Sequence, residues 1–92
     1  LLSLGKSEMK RNEILKEAKT KINGARAKDY GDAYENHARI AQLWSVLLDT
    51  PVTVPQVYQC MVAIKLARLS ATPEHEDSWV DICGYGALGG EE

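Results

Sequence analysis

The stretch Thr53-Val54-Pro55-Gln56-Val57-Tyr58-Gln59-Cys60-Met61-Val62-Ala63-Ile64-Lys65-Leu66-Ala67-Arg68-Leu69-Ser70 decides the fold. Its apolar residues recur at three and four, the spacing of a helix rather than a strand. Thr53 and Gln56 stand three apart, as a capping box requires, and Pro55 falls in the first turn, where its missing N–H is not needed. Only Gln56, Gln59, Ala63, Ala67 and Ser70 make a polar or small arc. The rest of the circumference is apolar: Val57, Tyr58, Met61, Val62, Ile64, Leu66 and Leu69. A helix apolar over so much of its surface belongs at the centre of a bundle.

Three more helices surround it in the pattern. Before it, Asp49-Thr50-Pro51 ends a helix that starts at Asp32, with Glu35 completing a capping-box-like pair. Tyr34, Ala38, Ala41, Trp44 and Leu48 share one face of it. Earlier still, Ser7–Lys28 carries Ile14, Leu15, Ala18, Ile22 and Ala25 on one stripe. Charges, Lys21 among them, cover the remainder, and Gly24 favours an early end. After it, Ala71–His75 reads as a loop and a fourth helix runs from Glu76–Asp77 toward Leu88. Its apolar face is Trp79, Val80, Ile82, Cys83, Gly86 and Ala87, with Gly84 and Gly86 suited to close helix contact. Residues 1–6 and 89–92 are expected to fray. These readings predict a single all-α domain over residues 1–92, a four-helix antiparallel bundle joined by short loops.

A chain of 92 residues buries only about 60–65% of its unfolded surface, so assembly into a homo-oligomer is expected. Apolar residues at 45% and charged residues at 26% exclude wholesale disorder. No apolar run approaches the roughly 20 residues of a membrane span. No signal peptide is visible, although the chain begins Leu-Leu without Met. Cys60 and Cys83 lack a CxxC partner and read as reduced core thiols, and with His37 and His75 they match no zinc spacing.

The net charge of −2 is uneven. Residues 1–46 carry nine basic and six acidic side chains; residues 47–92 carry two basic and seven acidic. Those two, Lys65 and Arg68, fall in the apolar arc of the third helix. An unpaired buried cation costs several kcal/mol, about the cost of breaking a buried pair. Three outlets satisfy them: snorkelling to water at the helix C-terminus, pairing with Asp77 and Asp81 across the hairpin, or holding phosphate oxygens in a cleft. Asp77, Asp81 and Tyr85 form one ridge at i, i+4 and i+8. Two carboxylates a turn apart suit a divalent cation or an ion pair. Tyr30, Gly31, Glu35, Asn36, His37 and Arg39 cluster at the start of the second helix, with His37 read as a half-exposed helix residue. No nucleophile triad and no phosphate-binding glycine loop is present.

The strings Tyr30-Gly31-Asp32, Glu35-Asn36, Arg39-Ile40-Ala41, Leu43-Trp44, Lys65-Leu66-Ala67-Arg68-Leu69 and Asp77-Ser78-Trp79-Val80-Asp81-Ile82-Cys83-Gly84-Tyr85 resemble a family of short, functionally uncharacterised bacteriophage and prophage proteins. The resemblance spans about residues 14–90 and implies the cytoplasm of an infected bacterium. The helix layout is also similar to the all-α MazG-type nucleoside triphosphate pyrophosphohydrolases. That likeness implies helical oligomers holding Mg²⁺ through ExxE and ExxD and cleaving between the α and β phosphates. Here Asp81 stands for the last acid of ExxD, Ser78 replaces the first, and Lys65xxArg68 fills the ExxE place. Cations there repel a metal but bind phosphate.

Three functions follow as expectations. The first is a cytoplasmic protein that binds a nucleotide or nucleotide-derived defence signal without hydrolysis and without a cofactor. Lys65, Arg68 and Arg39 would hold phosphate, and Tyr85, Tyr30 or Trp79 would offer stacking surfaces. The second is an Mg²⁺-dependent pyrophosphohydrolase with Asp77, Asp81 and Glu35 as ligands. The third is a small inhibitor of a host protein, signalled by an exposed apolar patch. No membrane or nucleic-acid partner is expected.

Overall fold

The computed structural model describes residues 8–24 and 33–92. Among the described residues there are four α-helices and no strand: α1 (Arg11–Asn23), α2 (Ala33–Leu47), α3 (Val54–Ala71) and α4 (Glu76–Gly90). The expected helix ends at Ser7 and at 25–28, the Asp32 cap and Tyr30 lie outside the described residues.

Local chemistry sets the helix ends. At α3 the capping box forms as the spacing predicts: Gln56 N–H donates to Thr53 Oγ1 at 3.3 Å, and Thr53 N–H donates to Gln56 Oε1 at 2.9 Å. At α1 only the return half exists, because Lys10 has no acceptor; its N–H donates to Glu13 Oε1 at 3.3 Å. At α4 the cap is His75. The Ser78 N–H donates to His75 Nδ1 at 3.2 Å, and the Ser78 hydroxyl lies 2.6 Å from the same nitrogen. Between α2 and α3, Asp49 adopts φ 52°, a left-handed value that Asp tolerates. Ser45 pins that turn: its hydroxyl donates to Ala41 O at 2.7 Å and accepts from Val52 N–H at 2.8 Å.

The α3–α4 hairpin is the centre of the molecule, with α2 packed on α3 and α1 packed on α4. The hairpin is antiparallel, since Lys65 meets Asp81 while the earlier Tyr58 meets the later Gly89. Helix α1 packs along α4. The Met9 N–H donates to the Glu76 carboxylate at 2.8 Å, at the start of α4, and Ile22 lies against Gly84 further along. A Cβ on Gly84 would stand 3.2 Å from Ile22 Cγ2, so this glycine is where α1 and α4 close on each other. Gly86 has no such role: a Cβ there meets nothing within 4 Å. Gly86→Ala is therefore expected to stabilise the fold by about 0.5–1 kcal/mol, read as a raised urea midpoint with unchanged slope.

Val57, Tyr58, Leu69, Val80, Ala18 and Ala41 are the buried apolar residues among those described. The helical faces differ from expectation in three places. On α2 the buried pair is His37 and Ala41, while Tyr34, and Leu48 just past the helix end, are exposed. On α3, which shares the centre with α4, Ile64 and Leu66 are more than half exposed and Cys60 is on the surface rather than in the core. On α4, Trp79 lies outward with its indole N–H donating to Pro73 O at 3.1 Å, and Ala87 is exposed. The helix continues two residues beyond Leu88, Gly89 packing on Tyr58.

Candidate functional site

All four helices border one cleft of about 360 Å³. Its apolar floor is Ile22, Met61, Val80 and Leu88. Its polar lining is Lys21 from α1, Asn36 and His37 from α2, Lys65 from α3, and Asp81 and Tyr85 from α4.

The charges are organised around Asp81. Lys65 Nζ lies 3.0 Å from one of its carboxylate oxygens and Lys21 Nζ lies 3.1 Å from the other. Lys21 also pairs with Asp77, so one ammonium bridges two carboxylates a helical turn apart. Burial alone would lower Lys21, but the hydrogen bonds to Asp77 and Asp81 outweigh it and hold the ammonium above its ordinary value of 10.5. The bond from Lys21 holds the Asp77 carboxyl below its ordinary value of 3.8. Lys65 forms an ion pair with Asp81 from an ammonium that carries three N–H donors.

The rings of His37 and Tyr85 also line the cleft, and Tyr58 packs against both. His37 is 7% exposed, and its Nδ1 donates to Ala33 O at 2.7 Å. Its ring lies 4.6 Å from Tyr58 and 5.9 Å, edge-on, from Tyr85, while the two tyrosine rings are 6.3 Å apart. Such pairs fix ring orientation as well as burying area. His37 is thus a buried wall residue, not the half-exposed one that its position suggests.

The expected site residues divide. Lys65, Asp81 and Tyr85 come together on the cleft, with Asp77 at its edge through Lys21. Arg68, Arg39 and Glu35 are exposed and lie outside it. Of the three outlets for the α3 cations, Lys65 takes the pairing across the hairpin, and Arg68 sits exposed in the last turn of α3. Among the described residues, no group of three or more His, Cys, Asp or Glu side chains is placed to hold a metal ion. Lys21 was missed as a site residue. Its one signal is local: it stands three residues after Ala18 and beside Ile22, next to the apolar stripe of α1.

A family described as a domain of unknown function, DUF6378, matches residues 13–92. The chain belongs to the DUF6378 family. This DUF6378 chain is similar to the Gene 55 protein of Mycobacterium phage L5, 45% identical over 76 residues that make up 82% of this chain and 49% of that protein. It is similar also to the Gene 55 protein of Mycobacterium phage D29, 40% identical over 72 residues, 78% of this chain and 48% of that one. The chain therefore spans about half the length of the curated relatives it matches. The phage setting implied by the motifs is that of these relatives. No solved structure matches the chain. Among the described residues, no helix is long and apolar enough to cross a membrane.

Proposed function

We propose that this DUF6378 chain holds a nucleotide, or a nucleotide-derived signal, by its phosphate in the four-helix cleft without hydrolysing it, in the cytoplasm of the infected bacterium. The observation that carries the reading is the convergence of Lys21, Lys65 and Tyr85 on one hollow of about 360 Å³. That volume lies within the range of about 300–1,000 Å³ usual for small-molecule pockets. Two ammonium groups share Asp81, and that of Lys65 carries three N–H donors. A phosphate can add to this cluster without displacing every existing bond. Binding is favoured over turnover by the donor set. Asp77 and Asp81, which a MazG-type hydrolase would offer to Mg²⁺, instead hold an ammonium, and Glu35 lies outside the cleft.

A thermal-shift panel tests this, using nucleoside mono-, di- and triphosphates, cyclic nucleotides and ADP-ribose, each with EDTA and with Mg²⁺. At least one phosphate compound is expected to raise Tm in EDTA, since a ligand bound only by the folded state stabilises it. Lys65→Ala is expected to weaken that compound roughly 100-fold, the loss of a charge-assisted contact of about 2.7 kcal/mol. Equal affinity in a Lys21→Ala/Lys65→Ala chain overturns the proposal. Pyrophosphate release from a triphosphate with Mg²⁺ moves the assignment to the hydrolase.

A protein-binding role has its own supporting observation. Leu43, Val46 and Leu47 in the last turns of α2, and Leu48 just after it, are 63–79% exposed, the first three sharing a face at i, i+3 and i+4. A contiguous apolar surface of this kind marks a contact site. We propose that a second copy of this chain covers it, with an inhibited host protein as the alternative occupant. Light scattering after gel filtration is expected to give a dimer or larger assembly, and Leu47→Glu a monomer. A wild-type monomer would direct the search to a host partner.

A further inference from the structure

The imidazole of His37 lines the cleft without taking part in its ion pairs. The Nδ1 of His37 faces the Ala33 carbonyl, which can only accept, so Nδ1 carries a proton, and in the tautomer this selects Nε2 is the acceptor. The side chain is more than nine-tenths buried. Among the described residues, Nδ1 is the ring nitrogen with a hydrogen-bond partner. Among the described residues, no buried side-chain nitrogen or oxygen lacks a hydrogen-bond partner, so Nε2 must keep contact with solvent. The open space that His37 lines is the cleft. The imidazole cannot swing away, because Ala33 holds one side and Tyr58 and Tyr85 pack against the ring.

We infer that His37 Nε2 is a specificity-determining acceptor, selecting a ligand that presents a hydroxyl or N–H donor alongside its phosphate. The inference rests on the phosphate-binding reading and narrows it. The lysines supply donors only, and Asp81 is already engaged by two ammonium groups. A donor on the guest finds an acceptor at His37 Nε2, beside the Asn36 amide oxygen and the Tyr85 hydroxyl that line the same cleft. A guest without that donor leaves a largely buried acceptor unpaired, a loss worth about tenfold in affinity. Charge limits the class further. Lys21 and Lys65 are offset by Asp77 and Asp81, so the cluster is neutral before a guest arrives. A single dianionic phosphate suits it better than a triphosphate chain. The ligand class is a phosphate monoester with a sugar or base donor, of which nucleoside monophosphates are the accessible probes.

Titration of the ¹⁵N-labelled chain with AMP, GMP, CMP and UMP, and with methyl phosphate at pH 8 as a donor-free comparison, tests this. At least one nucleotide is expected to shift the His37 Nε2 resonance, while methyl phosphate perturbs signals near Lys65 and leaves Nε2 in place. His37→Phe keeps an aromatic ring and removes the acceptor. It is expected to weaken the nucleotide about tenfold and leave methyl phosphate unchanged. Nucleotide binding that leaves Nε2 unmoved overturns the inference, as does an equal loss for both probes in His37→Phe, which would mark His37 as scaffolding. Absence of binding by every probe overturns the phosphate reading along with it. The Nε2 measurement uses the unaltered protein, so an unfolded variant does not block the test.

Discussion

Replacing Tyr58 by alanine is expected to remove about 3–5 kcal/mol of folding stability, the range for deleting a buried aromatic ring. Tyr58 is 2% exposed. Its ring lies 4.6 Å from His37 of α2 and 6.3 Å from Tyr85 of α4, and its Cβ faces Gly89. It therefore joins three helices at one point. A small domain holds only about 5–15 kcal/mol in total, so the variant is expected to be largely unfolded near 37 °C. Urea denaturation followed by far-UV circular dichroism measures the loss. Tyr58→Phe separates the ring from its hydroxyl and is expected to stay within about 1.5 kcal/mol of the parent. A loss below 1 kcal/mol in the alanine variant, a threshold of about one ordinary surface change, would show that the ring cluster does not hold the helices together.

Asp81→Ala carries the second large effect, about 2 kcal/mol. Asp81 accepts from Lys21 and Lys65, and its side chain is 17% exposed. Bonds to charged groups each contribute about 1.5–3 kcal/mol, reduced here by partial solvent access and by relief of repulsion from Asp77. A double-mutant cycle with Lys65→Ala isolates the pair, and a coupling near zero would sink the assignment. The pH profile gives a second reading. Lys21 is raised in the fold, so its contribution is full below about 10.5 and is lost as pH climbs through the higher folded value. Asp77 is lowered, so its contribution is present above about 3.8 and is lost as pH falls through the lower folded value. Removing Asp81 withdraws part of the support for the Lys21 ammonium. The alkaline limb of the stability curve is expected to move to lower pH.

Helices α3 and α4 were legible because their signals are local. Thr53, Pro55 and Gln56 mark a start by hydrogen-bond chemistry within one turn, and the apolar period does the rest. The buried face of α2 was not legible. Leu43, Val46 and Leu47 obey a helical period as well as His37 and Ala41 do, and periodicity does not say which apolar stripe meets its own chain. The site was half legible for the same reason. Lys65 announced itself by standing among apolar neighbours, and Asp81 by its ridge with Asp77 and Tyr85. Lys21 and His37 looked like ordinary helix-surface residues. Their roles arise only when α1 settles on α4 and α2 on α3, contacts that no short-range spacing encodes.

The cleft borrows from every helix, and that has a consequence for heredity. Losing α1 takes Lys21 with it, losing α2 takes His37, and a break after Ser70 takes Asp81 and Tyr85. The stretch shared across the family, residues 13–92, includes every one of these side chains. Among recombining phage genomes, where genes are cut and rejoined, this hollow travels whole or is lost.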